Sequence, residues 1–155
     1  MATARGAMDA AADVLSASML NTGATMGDFA VLLGRIGLAI IFIVSGLGKL
    51  QDMAATQQYM QSMGVPGALA PLVVLVELGG GLAVLAGVLT RWAALLLAVF
   101  CLLAALIFHN QFAVQAQLVN FLKNVAMAGG FLVLAARGAG AFSLDALRDR
   151  RRPRL

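Results

Sequence analysis

The 155-residue sequence contains one cysteine, one histidine, one tryptophan and one tyrosine. A single cysteine, Cys101, closes no disulfide within the chain and offers no dithiol pair; it is read as a small buried hydrophobe. One histidine and one cysteine cannot supply a bis-histidine haem, an iron–sulfur cluster or a zinc centre within one chain. No nucleotide-binding loop, dithiol motif or Ser-His-Asp set is present either. Charge is scarce, at 12% of residues, about half the share of a soluble domain. Much of the net charge of +4 lies in the closing residues RDRRRPRL. Without a folded basic face that tail does not make a nucleic-acid binder. It reads as an orientation signal and a contact for anionic lipid heads.

What the chain does have is apolar length. Hydrophobic residues make up 61% of it, and the mean hydropathy is +0.92, values that belong to a membrane protein. Four runs are long enough to cross a bilayer as helices, at about 29–47, 69–89, 93–108 and 118–136. The expected fold is therefore all-α: a polytopic four-helix bundle over residues 28–137. Residues 1–27 are expected to form a flexible tail or loose surface helix, with Met26 as an alternative start, and residues 138–155 a basic cytoplasmic tail. The stretch DMAATQQYMQSMG, between the first two spans, has the spacing of a short interfacial helix. Arg91, Arg137 and the arginines from Arg148 to Arg154 fall on one side of four spans, while the loops after the first and third hold almost no Lys or Arg. The positive-inside rule then puts both termini in the cytoplasm.

The second span carries Glu77 near its middle, where an acid costs roughly 2.5 to 3.5 kcal/mol to insert. Such a group needs a cationic partner. Depths counted along the spans put Glu77 about 12 Å and Lys123 roughly 7 Å below the outer edge, within reach of each other's side chains, and let Arg35 reach Glu77 from the cytoplasmic side, with Lys49 and His109 at the outer mouth. The expected buried polar cluster is Arg35, Lys49, Glu77, His109, Asn120, Lys123 and Asn124. In its bland form it is an ion pair that fixes which helices are neighbours; in its sharper form it lines a pocket for a polar or quinone-like ligand. Gly79, Ala83 and Gly87 form a small-residue face suited to helix packing or to a homo-oligomer.

Seven features in order carry a family resemblance: Arg35 early in the first span, Ser45-Gly46-Leu47-Gly48-Lys49, Gly64-Val65-Pro66, Glu77-Leu78-Gly79-Gly80-Gly81, Gly87-Val88-Leu89-Thr90-Arg91, Phe108-His109 and Phe121-Leu122-Lys123-Asn124. Together they resemble the DoxX family of small four-helix membrane proteins, over roughly residues 29–145. The resemblance implies a bacterial inner-membrane location and a link to redox systems, among them the small subunits of thiosulfate:quinone oxidoreductase and membrane partners of thiol and superoxide defence. It also implies Arg35, Lys49, Glu77, His109 and Lys123 as the functional set. The expected function is an accessory subunit of a redox or stress-response system, with an oxidoreductase partner and a quinone as candidate cofactor, and not an enzyme on its own. The alternative is a small solute or proton-coupled carrier switched by Glu77 and Lys123.

Overall fold

The computed structural model describes residues 2–151, with side chains from Thr25 onward. The elements are α1 (Ala2–Gln51), α2 (Met53–Ser62), a single 3-10 turn (Gly67–Leu69), α3 (Ala70–Ala86), α4 (Thr90–Phe108), α5 (Gln115–Arg137) and α6 (Leu144–Arg151). Among the described residues there is no strand. Four stretches have the length and hydropathy to cross a membrane: Thr25–Gln51, Gly67–Ala86, Thr90–Phe108 and Gln115–Arg137. Only 22 to 33% of each apolar window is buried inside the protein. The remaining large side chains, such as Val44, Leu75, Leu106 and Val133, point outward and require an apolar solvent around the bundle.

The bundle has two unlike ends. The connections after α1 and after α4 lie at one, here the pocket end. The α3–α4 turn, the exit of α5 and α6 lie at the other, the basic end. Helix α1 packs along α3 and α4 along α5, α3 and α4 touch next most, and the seam between α1 and α5 is the sparsest of the four. The close approach of α1 to α3 depends on Gly46, where a Cβ would stand 2.7 Å from Leu78 Cγ. The glycine run of α3 serves two neighbours: Gly80 lies under Leu97 of α4, and Gly81 under Phe42 and Ile43 of α1. The face expected from Gly79, Ala83 and Gly87 is not the one that packs against α1 and α4 inside the bundle. Gly79 is exposed, and Gly87, at φ 70°, ends the helix as its left-handed cap.

Small residues thus bring the backbones together, and aromatic rings fill the centre. Phe42 meets Phe131 edge-on at 5.3 Å and Phe100 at 6.1 Å. Around them Ala39, Val84, Leu97, Cys101 and Ala128 complete the core.

The short helix expected between the first two spans forms as α2. Asp52 starts it by accepting a hydrogen bond from the amide of Ala55 at 2.9 Å. It covers the pocket end: Met60 is buried, and Tyr59 stacks on Phe108 of α4 at 5.6 Å.

Candidate functional site

In an α-helix each Cα–Cβ bond tilts toward the N-terminus. Lys49 sits near the end of α1 and so leans back into the bundle, whereas Glu77, on the antiparallel α3, leans toward the pocket end. The two side chains meet. Lys49 Nζ lies 2.8 Å from both Glu77 carboxylate oxygens, with 30% of the lysine side chain and 5% of the glutamate side chain exposed. Ser45, one turn before Lys49, completes the cluster: its Oγ accepts from Lys49 Nζ at 2.6 Å and donates to Glu77 Oε1 at 3.3 Å. The acid is therefore neutralised inside the protein, which is the condition for holding a carboxylate at this depth.

A cavity of about 480 Å³ opens over this cluster. Its polar atoms come from Lys49, Glu77, Ser45, Thr56, His109 and Asn124. Its walls are Phe42 and Phe100 below, Ile41, Val73, Val76, Leu103 and Ile107 at the sides, and Met60, Tyr59 and Phe108 above. Helices α1, α3, α4 and α5 all contribute lining residues, so the cavity lies between the four spans. His109 Nδ1 lies 2.8 Å from Gln117 Oε1, which ties the end of α4 to the start of α5. The lining is mostly apolar, and the Lys49–Ser45–Glu77 cluster gives it one connected polar group, as in sites that bind amphiphilic small molecules.

Of the seven expected residues, Lys49, Glu77, His109 and Asn124 line the cavity, and Asn120, Lys123 and Arg35 do not. Lys123 is exposed and makes no ion pair among the described residues. Asn120 contributes its backbone carbonyl, which accepts from Asn124 Nδ2 at 3.0 Å. The expectation that Glu77 meets Lys123 is corrected: Lys123 stands on an exposed face of α5, and the cation that reaches Glu77 is Lys49.

Arg35 is the larger correction, since it does not approach Glu77. It lies on α1 with its side chain directed toward the basic end, where it is 1% exposed. There its guanidinium donates to the carbonyls of Val84 at 2.9 Å, Leu85 at 2.6 Å, Ala139 at 2.9 Å and Phe142 at 2.8 Å. The negative end of the α3 dipole thus compensates the buried charge. Gly87 leaves the room, because a Cβ there would stand 2.6 Å from Arg35 Nη2.

Asp145 belongs to the same end and has a function not foreseen from the sequence. Ser143 is the cap of α6, its Oγ accepting from the Ala146 amide at 3.1 Å. Asp145 instead caps α4 from outside it, accepting from the amides of Leu89 at 2.9 Å and Thr90 at 3.0 Å. Leu89 holds a left-handed conformation at φ 47°. Burial works to raise the Asp145 pKa, but the Thr90 and Leu89 amides, with the Thr90 hydroxyl and the Arg148 charge, outweigh it and hold the group below the ordinary carboxylate value.

The family model described as DoxX matches residues 30–110 of this chain. "Inner membrane protein YqjF" of Escherichia coli strain K12 is 51% identical over 124 residues, covering 80% of this chain and 95% of that relative. "Inner membrane protein YphA" of the same organism is 38% identical over 122 residues, or 74% and 87%. A Bacillus subtilis strain 168 protein named "Putative oxidoreductase CatD" is 41% identical over 64 residues, which is 41% of this chain and 48% of the relative. No solved structure matches the chain at a significant level.

Proposed function

The chain belongs to the DoxX family and is an integral inner-membrane protein, and from that premise we propose that it seats a quinone-like ring as the membrane subunit of a redox or stress-response system. The observation that carries this reading is the Lys49–Ser45–Glu77 cluster at a mostly apolar cavity lined by all four spans. A quinone is an apolar ring with two carbonyl acceptors; the apolar walls suit the ring, and Lys49 Nζ, which donates to Ser45 and both Glu77 oxygens, can turn one N–H to a ring carbonyl. Glu77 supplies the matching acceptor for the hydroxyl of a reduced ring. A cavity between membrane spans suits a ligand that partitions into lipid. The oxidoreductase designation of the Bacillus subtilis relative, which matches over part of the chain, points the same way. The carrier alternative finds less support, because its switch requires Glu77 and Lys123 together and Glu77 is already paired with Lys49.

The test is equilibrium binding of a short-chain ubiquinone analogue to the full chain in detergent, followed by thermal shift. Saturable binding at one site is expected, with ligand at 100 times its Kd stabilising the fold by about 2.7 kcal/mol. The charge-neutral double substitution Lys49→Met with Glu77→Met should fold, since removing both partners of a buried pair is close to neutral. It should bind the analogue at least about tenfold more weakly, while Lys123→Gln binds it normally; the tenfold loss corresponds to one hydrogen bond to a charged donor. No saturable binding, or equal binding by the double variant, would sink the quinone reading. Recovery of an oxidoreductase by cross-linking in native membranes would support the subunit assignment, and purification of the chain alone after cross-linking would count against it.

A further inference from the structure

The basic end holds a second cavity, of about 410 Å³, separate from the first and unused by the proposed function. Arg91 from the first turn of α4, Arg137 from the last turn of α5 and Arg148 from α6 all border it. Three elements thus bring three arginines to the border of one space. None of the three makes an ion pair within 4 Å among the described residues. The acids at the cavity are Asp145 and Asp149. Three arginines against these two acids leave the cavity net positive, and Asp145 is already engaged by the Leu89 and Thr90 amides. Gly138, at φ 88°, leaves room for Arg91 beside the exit of α5, where an added Cβ would stand 3.4 Å from its Nη2.

The apolar rim fixes the chemistry further. Trp92, 73% exposed, and Leu89, 58% exposed, stand beside the arginines at the edge of the candidate span Thr90–Phe108. A tryptophan in that position lies at headgroup depth, with acyl chains on one side and water on the other. A ligand that satisfies both the guanidinium groups and this rim carries a phosphodiester and hydrocarbon on the same molecule.

We propose that this cavity binds the phosphodiester headgroup of an anionic phospholipid, with Arg91, Arg137 and Arg148 on the phosphate and Trp92 and Leu89 against the upper acyl chains. Basic pockets between transmembrane helices hold anionic lipid heads by this combination of charge and depth. The site is distinct from attraction by the arginine-rich tail, because two of its three arginines belong to membrane-spanning helices. A free phosphate shares the headgroup's charge but gains nothing from the apolar rim.

Native mass spectrometry of the full chain, released from neutral detergent, tests the assignment with phosphatidylglycerol, phosphatidylcholine and inorganic phosphate as probes. A discrete one-to-one adduct is expected with phosphatidylglycerol, at least tenfold more abundant than with phosphatidylcholine. Each of Arg91→Gln, Arg137→Gln and Arg148→Gln should weaken it by about fivefold, whereas Arg150→Gln with Arg151→Gln should leave it unchanged. Arg148→Gln lies outside the spans and keeps the test valid if the other two variants fold poorly. Equal adducts with both lipids, loss through the Arg150 and Arg151 pair alone, or full retention in Arg148→Gln would overturn the proposal. Binding of inorganic phosphate at the same strength would reassign the cavity to a soluble anion.

Discussion

Two cations of α1 answer the same geometric rule and end at opposite ends of the bundle. Lys49, near the C-terminus of the helix, leans back over Glu77; Arg35, fourteen residues earlier, leads to the end of α3 and donates four hydrogen bonds to carbonyl oxygens there. The presence and depth of both were legible in the sequence, and so was the need of Glu77 for a cation. Their partners were not, because depth along the membrane normal leaves out the direction in which a long side chain leaves its helix. That direction follows from chain polarity alone and could have been used: it sends Lys49 and Glu77 toward each other. Ser45 stood among the family features and not in the expected polar cluster, although its place four before Lys49 puts both on one helical face. For Arg35 the consequence is testable. Lysine keeps the charge but has three donors in place of a planar fork, so Arg35→Lys should lower unfolding stability in detergent by about 2 kcal/mol. Arg35→Met, which also strands the carbonyls, should cost more than about 3 kcal/mol. Lys123→Met, at an exposed position of similar chemistry, should change the melt by less than about 0.5 kcal/mol. Equal losses at Arg35 and Lys123 would contradict the anchoring role of Arg35.

At the scale of elements, the four spans were visible because each is an apolar run of bilayer length, and α2 because its apolar residues recur at three and four. Their boundaries shifted where capping, not hydrophobicity, decides. Helix α4 begins at Thr90 because the amides of Leu89 and Thr90 find the carboxylate of Asp145, fifty-five or more residues further on. No local reading of Thr90-Arg91-Trp92 could supply a cap from so far along the chain. The same link works in reverse, since the Asp145 amide donates to Gly87 O at 2.8 Å and so fastens α6 to the α3–α4 turn. Its pH dependence follows from the sign of the shift. The folded pKa of Asp145 is depressed, so this contribution is fully present above the unfolded carboxylate value of about 4 and is lost as pH falls through the lower folded value. Removing the cap with Asp145→Ala should cost about 1 kcal/mol at neutral pH. Protection of the Leu89 and Thr90 amides, taken against the intrinsic exchange rate at each pH, should fall in the wild type below about pH 4 and already be low in the variant at pH 6. Equal protection of those two amides in both proteins at pH 6 would refute the cap.

For the whole molecule, the decisive asymmetry is the distribution of arginine. Arg91, Arg137, Arg148, Arg150 and Arg151 gather beyond the α3–α4 turn and the α5 exit, while residues 52–69 and 109–114, which connect the spans at the pocket end, contain no Lys or Arg at all. The start of the first span lies at the basic end too: Arg137 packs against Gly27, and Gly140 sits beside Asp28. Both flanks of the four-span unit therefore share one side of the membrane, whichever side that is. The positive-inside rule selects the cytoplasm, which would place the Lys49–Glu77 cavity in the periplasmic half of the bilayer and the arginine cavity against the inner leaflet, where anionic headgroups face the cytoplasm. A fluorescent-protein fusion after Leu155 should then fold and fluoresce, and an alkaline phosphatase fusion there should be inactive. Gly64→Cys, in the loop at the pocket end, should react with a membrane-impermeant maleimide on intact spheroplasts. If Gly64→Cys reacts only after lysis while the phosphatase fusion is active, the bundle is inverted. Replacing Arg91, Arg137 and Arg148 with glutamine while adding lysines at positions 61 and 62 should produce that inversion in part, because orientation follows the balance of Lys and Arg between the two ends and not the apolar spans, which are compatible with either direction.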